Sequence, residues 1–383
     1  MRLDPVQIAQ QLIRLPSVTP QDAGAMDLLQ GILESVGFRC RRLRFGEVEN
    51  LYARYGDHAP NLCFAGHTDV VPPGDVGAWR ADPFAAEVQD GALIGRGAVD
   101  MKGAIGAYVA AAAAAIASGE VKGSLSFLIT GDEEGAALDG TRKVVETLLA
   151  ERETIDHCLV GEPSSVARLG DVIKIGRRGS VNAWLTVLGT QGHVAYPERA
   201  KNPIPVLLRL LDRLATRKLD EGYTAFAPSN LEITSVDVAN PASNVIPAEA
   251  RARFNIRFNP SHTGAQLIAW IEEEARALAK TTGVQISVQC LCSGDAFLTE
   301  PSPFVDLIQA TVESELGVRP DANTLGGTSD ARFIRAMCPV VELGLVGQTM
   351  HQVDEQIAVS QIEALSALYL ALIRRYFETD ALG

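Results

Sequence analysis

The strongest constraint on this chain is a repeated local pattern, in which a short apolar run stops at glycine beside an acid or a histidine. The run 61–66 ends in Gly66-His67-Thr68-Asp69, Ser124–Thr130 ends in Gly131-Asp132-Glu133-Glu134, and 155–160 ends in Gly161-Glu162. Short apolar runs bounded by turn formers read as buried strands. Three strands that each deliver a candidate ligand at the carboxyl end fit an α/β sheet, whose sites lie along that edge.

Each stretch has two readings. His67 and Asp69 lie on the same face of an extended segment, so the acid can fix one imidazole tautomer and leave the other nitrogen for a metal. The alternative is an ordinary hydrogen-bonded histidine at a strand end. Glu133 and Glu134 project in different directions, so one can bind a cation while the other serves as general base; the alternative is a solvated acidic loop. A fourth stretch, Gly95-Arg96-Gly97-Ala98-Val99-Asp100-Met101-Lys102-Gly103, sets an acid in a glycine-rich turn ahead of an Ala-rich run that predicts a buried helix over 104–118. Asp100 is there either a helix N-cap or a ligand.

The rest of the chain frames these stretches. Helical spacing predicts helices over 6–15 and 25–36, separated by Pro16-Ser17-Val18-Thr19-Pro20, and strands follow over 38–45 and 51–55. From about 178 the order becomes β-α-β-β-α-β, with strands over 181–188, 231–238, 251–258 and 284–291 and helices over 202–216 and 263–279. That order predicts an inserted ferredoxin-like α+β domain. After 293 the α/β pattern returns. Gly326-Gly327-Thr328-Ser329-Asp330 opens a helix over 331–337 and offers hydroxyls and backbone N–H groups to an anion. A strand over 340–343 leads to His351, and a helix over 357–376 follows.

Composition removes several function classes. With 34 Lys and Arg against 47 Asp and Glu, the formal net charge of −13 argues against nucleic acid or an anionic membrane as partner. Met1-Arg2-Leu3-Asp4-Pro5 lacks a charged-then-apolar leader pattern and the Ala-rich run is too weakly apolar to span a bilayer, so a cytoplasmic location is expected. The six cysteines form no CxxC pair and read as reduced thiols.

His67, Asp100, Glu134, Glu162 and His351 together offer two imidazoles and three carboxylates. Two divalent cations fit them if each takes one histidine and one terminal carboxylate while Asp100 bridges. Three carboxylates and a hydroxide carry four negative charges, which two such ions cancel. Zinc suits this mixed set, and manganese or cobalt can substitute.

GHTDVVP at 66–72, GRGAVDMKG at 95–103, GDEEG at 131–135, GEPSS at 161–165, GRRGS at 176–180, GTQGHVAYP at 189–197, SNVIPAE at 243–249 and GGTSDARF at 326–333 resemble the di-zinc amidohydrolases. That family includes aminoacylases, acetylornithine deacetylase and bacterial carboxypeptidases. The resemblance implies a di-zinc peptidase-like catalytic domain over 1–177 and 293–383, a mixed sheet flanked by helices, with 178–292 as a dimerisation lid. It implies that His67 and Glu162 terminate one zinc, Glu134 and His351 the other, and that Asp100 bridges. Glu133 matches the general base, Asp69 the residue that orients His67, and His193 a histidine that reaches the partner protomer's site in a homodimer.

GRRGS, QGHVAYP and SNVIPAE place the nearest likeness in the desuccinylating branch of that family. The implied reaction is zinc-dependent hydrolysis of N-succinyl-LL-2,6-diaminopimelate to succinate and LL-2,6-diaminopimelate, a step of lysine and diaminopimelate biosynthesis. Its carboxylates would meet Arg177 or Arg178 and Arg257, with Ser180, Tyr196, Asn244, Gly327 and Thr328 as neutral donors. Two positions depart from the branch: Gly347 stands where an asparagine is expected four residues before His351, and Leu325 stands where a glycine is common. The competing readings are acetylornithine deacetylase or another N-acyl amino-acid hydrolase, and a non-catalytic metal-binding scaffold.

Overall fold

The computed structural model describes residues 3–379 and divides into two compact units, Met1–Gly176 with Thr299–Asn323 and Ser329–Gly383, and Arg177–Leu298 with Thr324–Thr328. Met1 and Arg2, which belong to the expected N-terminal pattern, lie outside the described residues. Among those described, no helix is long and apolar enough to cross a membrane, and all six cysteines are free.

The first unit is built on a mixed eight-stranded sheet in the order Arg39–Phe45, Val48–Tyr55, Ser124–Thr130, Asn61–His67, His157–Val160, Val340–Glu342, Val172–Lys174, Asp321–Asn323. The four strands Ser124–Thr130, Asn61–His67, His157–Val160 and Val340–Glu342 run parallel, so their carboxyl ends open on one edge. Both faces of such a sheet are covered, which is why Ser124–Thr130 is buried at every position although its sequence alternates polar and apolar residues at the start.

The helix Lys102–Ala117 is buried on nearly all sides because alanine and glycine let its neighbours approach. It packs against Pro5–Ile13 and Val359–Glu378, and a Cβ at Gly106 would lie 2.5 Å from the Pro5 carbonyl oxygen. Asp4 caps Pro5–Ile13 by accepting from the Val6 and Gln7 amides, and Pro5 supplies a preset φ at the first helical position. Beneath, Phe64 stacks on Tyr108 at 4.1 Å between ring centres, with Phe127 and Tyr369 edge-on. Phe127→Ala in this cluster would cost about 3–5 kcal/mol.

Several elements differ from the expectation. The alanine helix begins at Lys102, two residues early, so Met101 rather than Asp100 holds the N-cap position. The helix expected over 331–337 is the single turn Ala331–Ile334. The helix expected over 357–376 is the strand Gln356–Ala358 followed by Val359–Glu378. That strand pairs with Ala92–Ile94, itself paired with Glu87–Gln89, and three-residue strands are too short to display a period.

In the second unit, Gly179–Leu188, Pro203–Ala215, Asn230–Asp237, Glu249–Phe258, Gly264–Thr282 and Gln285–Gly294 follow in β-α-β-β-α-β order. The sheet order is Asn230–Asp237, Glu249–Phe258, Gly179–Leu188, Gln285–Gly294, antiparallel throughout, which is the ferredoxin-like arrangement. Val181, Ala183, Leu185 and Val187 point inward against Leu207, Leu210, Leu211 and Ile271 of the helices. Thr263 and Gln266 form a capping box at the start of the second helix, and Gly283, at φ +64°, ends it.

Candidate metal centre

Parallel pairing brings the ligand-bearing segments to one edge of the first unit. His67 is the last residue of Asn61–His67, Glu133 and Glu134 follow the end of Ser124–Thr130, Glu162 follows His157–Val160, and the chain beyond Val340–Glu342 leads to His351. Asp100 ends the glycine-rich turn, and the Asp100-Met101 peptide is cis. Gly97 in that turn has φ +89°, and a Cβ there would meet the Val70 and Lys102 side chains at 2.9 and 3.0 Å, so only glycine fits.

The Asp100 carboxylate stands between the two imidazoles. Its Oδ1 is 3.1 Å from His67 Nε2 and its Oδ2 is 3.3 Å from His351 Nε2. Each imidazole faces a second acid: Glu162 Oε1 is 3.6 Å from His67 Nε2, and Glu134 Oε1 is 2.8 Å from His351 Nε2. The ligand atoms of His67, Asp100 and Glu162, and those of Asp100, Glu134 and His351, converge within 4.8 Å in each set. His67, Glu133 and Glu134 make a third such set.

Asp69 acts differently from the simple expectation. The His67 Nδ1 lies 2.8 Å from the Asp69 backbone carbonyl, which fixes the proton on Nδ1 and turns Nε2 toward the acids. The Asp69 carboxylate is 3.7 Å from that nitrogen and accepts instead from the Glu133 and Glu134 amides, at 3.2 and 3.0 Å. One residue therefore sets both the tautomer of His67 and the backbone under the paired glutamates.

The cluster is short of positive charge. Burial pushes the Glu162 carboxyl well above the usual range, and Asp100 and Glu133 add to the shift. Burial, then Asp330, does the same to Glu133. For Asp100 burial acts in that direction too, but hydrogen bonds to His351 and His67 outweigh it and hold the carboxyl below its ordinary value. Burial opposes a charged His67, yet Asp100 and Glu162 hold its pKa well above normal, and Asp100 and Glu134 raise His351 to about 10. Acids crowded around two imidazoles make a donor set suited to cations.

Residues absent from the sequence expectation support the site. Arg332 Nη1 is 3.9 Å from Glu133 Oε1, and its Nη2 is 3.7 Å from Asp330 Oδ1. Glu355, fully buried, pairs with Arg96 at 2.7 Å and accepts from the Gly97, Val99 and Asp100 amides. Breaking such a buried pair typically costs about 3–5 kcal/mol. The available signals were an acid four residues after His351 and an arginine inside the glycine-rich turn. Gln348 donates to the Val166 carbonyl, which commits its amide within the first unit.

The remaining expected residues belong to the second unit. His193 and Tyr196 lie 5.7 Å apart between ring centres, and His193 pairs across a short ribbon with Val245, next to Asn244. The Ala195 amide donates to His193 Nδ1, which leaves the proton on Nε2. Ser180 and Arg257 are cross-strand partners, and Arg178 donates to Asn230. Burial, then Arg178, lowers the Arg257 pKa, so the two guanidiniums stand close enough to repel. Arg177 donates to the Leu325 carbonyl beside Gly326, in the segment that also carries Gly327 and Thr328.

Known proteins match this sequence over nearly its whole length. A succinyl-diaminopimelate desuccinylase of Phenylobacterium zucineum is 63% identical over 98% of this chain and 99% of its own. One of Cereibacter sphaeroides (strain ATCC 17025) is 52% identical over 98% of this chain and 100% of its own. Among solved structures, a metallo-carboxypeptidase of the M20 family from Sulfolobus solfataricus superposes with a TM-score of 0.82 at 14% identity, covering 98% of this chain and 100% of that one. The sequence also matches peptidase family M20/M25/M40 over residues 63–375, and the chain belongs to that family.

Proposed function

We propose that this chain is a metal-dependent amide hydrolase that converts N-succinyl-LL-2,6-diaminopimelate and water to succinate and LL-2,6-diaminopimelate, in lysine and diaminopimelate biosynthesis in the cytoplasm. The observation that carries the chemistry is the placement of Asp100 between two imidazole–carboxylate pairs, with the additional acid Glu133 beside Glu134. The substrate comes from the desuccinylases 63% and 52% identical to this chain. The donor set fits two divalent cations per subunit, with His67 and Glu162 on one, Glu134 and His351 on the other, and Asp100 shared. Imidazole and carboxylate together favour zinc, and cobalt or manganese are chemically compatible.

Bound there, the cations would supply Lewis acidity toward the amide carbonyl and lower the pKa of a water. Glu133 takes a proton from the attacking water and returns it to the leaving amine. Asp69 keeps His67 in the tautomer that presents Nε2 and fixes the backbone from which Glu133 projects. His193, with its proton on Nε2, is the donor for the developing oxyanion, reached from the partner protomer of a homodimer whose interface lies in 178–292. The domain reading, 1–177 with 293–383 as catalytic part and 178–292 as dimerisation lid, belongs to the same proposal.

Arg178 and Arg257 supply concentrated positive charge on an acidic protein, which suits a tricarboxylate substrate. Ser180, Tyr196, Asn244, Gly327 and Thr328 are the neutral donors, and Arg177 anchors the segment that carries the last two. The test is hydrolysis of N-succinyl-LL-2,6-diaminopimelate beside N-acetylornithine, with chelator-stripped and zinc-restored protein. Zinc-restored turnover of the succinyl substrate supports the proposal. Turnover of acetylornithine alone would keep the chemistry and replace the substrate.

A further inference from the structure

We propose that Glu355, through Arg96, is the positioning residue that locks three ligand-bearing segments into register. It accepts from Arg96 Nη1 at 2.7 Å, Val99 N at 2.8 Å, Gly97 N at 3.1 Å and Asp100 N at 3.1 Å, so four donors converge on one buried carboxylate. Its own carbonyl accepts from Gly95 N at 2.9 Å, which fastens the turn at both ends. The Arg96 Nη2 then reaches the carbonyls of Pro72 and His351, each at 3.4 Å. Pro72 closes the segment that begins at His67. A single ion pair therefore touches the segments carrying His67, Asp100 and His351, which stand 33 and then 251 residues apart in sequence.

The His351 backbone needs this support. Its φ of +62° lies in the left-handed region that a residue with a Cβ adopts at a cost, and Asp354, at φ +59°, repeats the condition three residues on. The loop reaches Glu355 through these two positions, and the Arg96 contact to the His351 carbonyl helps hold the first of them. Arg96 is itself clamped, lying 5.3 Å from the centre of the Trp79 ring with its side chain 2% exposed. Neither Arg96 nor Glu355 belongs to a group of converging ligand atoms, so their role is to set where the ligands stand. Partners that orient metal ligands typically change affinity about 10–100-fold when removed.

This inference rests on the di-metal reading, and its test separates the two. The stepwise zinc dissociation constants of the wild type and Glu355→Gln are measured by competition with a chromophoric chelator, alongside thermal melts of the metal-free proteins. Glutamine keeps the shape but places an N–H where donors converge. The expected result is two tightly held ions in the wild type and, in folded Glu355→Gln, a loss of about 10–100-fold in affinity for at least one. Unchanged constants overturn the inference, even if the melting temperature falls, because a merely structural residue moves only the latter. If Glu355→Gln does not fold, Arg96→Lys decides. It keeps the charge opposite Glu355 but lacks the second nitrogen that reaches Pro72 and His351; weakened binding supports the brace and unchanged binding overturns it. A wild type that takes up fewer than two ions removes the di-metal reading itself.

Discussion

The two units solve different electrostatic problems. The first gathers acids and imidazoles at one sheet edge, where burial and neighbouring acids, Asp330 for Glu133 and Asp100 for Glu162, push both carboxyls up, and His351 is held at about 10 by its acidic neighbours. The second gathers donors and positive charge: His193 with its Nε2 proton, and Arg178 against Arg257. A cation answers the first arrangement and an anion the second. On the proposed function, bond cleavage belongs to the first unit, and recognition, with one oxyanion donor, to the second.

The sharpest test of that division is Glu133→Ala, which should retain its metal ions and lose about 10²–10⁴-fold in kcat if, as proposed, the residue moves protons and holds no ion. Full turnover, or lost metal, would break the assignment. His193→Ala should lose about 10²–10³-fold in kcat with metal content unchanged. Mixed with Glu133→Ala it should regain turnover, because a mixed dimer then holds one complete site; no recovery would show that His193 does not act across an interface. Arg257→Ala should chiefly raise KM, by about 10–100-fold, consistent with a charged hydrogen bond used equally by ground and transition states. A fall in kcat at constant KM would place Arg257 with the chemistry.

The smallest effect concerns pH. In the metal-free protein His351 carries a proton up to about 10 rather than its ordinary 6.5, held by Asp100 and Glu134. Its contribution to the stability of that form is complete below 6.5 and is lost as pH rises through about 10. A metal ion must displace the same proton, so apparent affinity should climb by up to about tenfold per pH unit across that window, as titration calorimetry in buffers of different ionisation enthalpy would read. Affinity that is flat with pH would mean that His351 does not bind the ion.

How much of this could be read in advance depended on the range of each interaction. The strand ends at His67, Glu134 and Glu162 were legible because burial and turn chemistry act over a few residues, and the β-α-β-β-α-β order of the second unit was legible for the same reason. The helices Thr141–Ala150 and Pro303–Leu316 lie outside the sequence expectation although each carries apolar residues at helical positions. The role of Asp69 was only half visible, because the pattern of side chains does not reveal that its backbone carbonyl holds His67. Glu355 carries only a faint local signal, an acid four residues after His351, because the partners that give it a role lie more than 250 residues earlier.

The central claim is that Asp100 divides its two oxygens between two cations while Glu133 remains free as the base. Anomalous diffraction at the zinc edge from crystals of the zinc-loaded protein tests it most directly. Two peaks about 3.5–4 Å apart are expected, one among His67, Asp100 and Glu162 and the other among Asp100, Glu134 and His351. A single peak, or an ion held by His67, Glu133 and Glu134, would contradict the account.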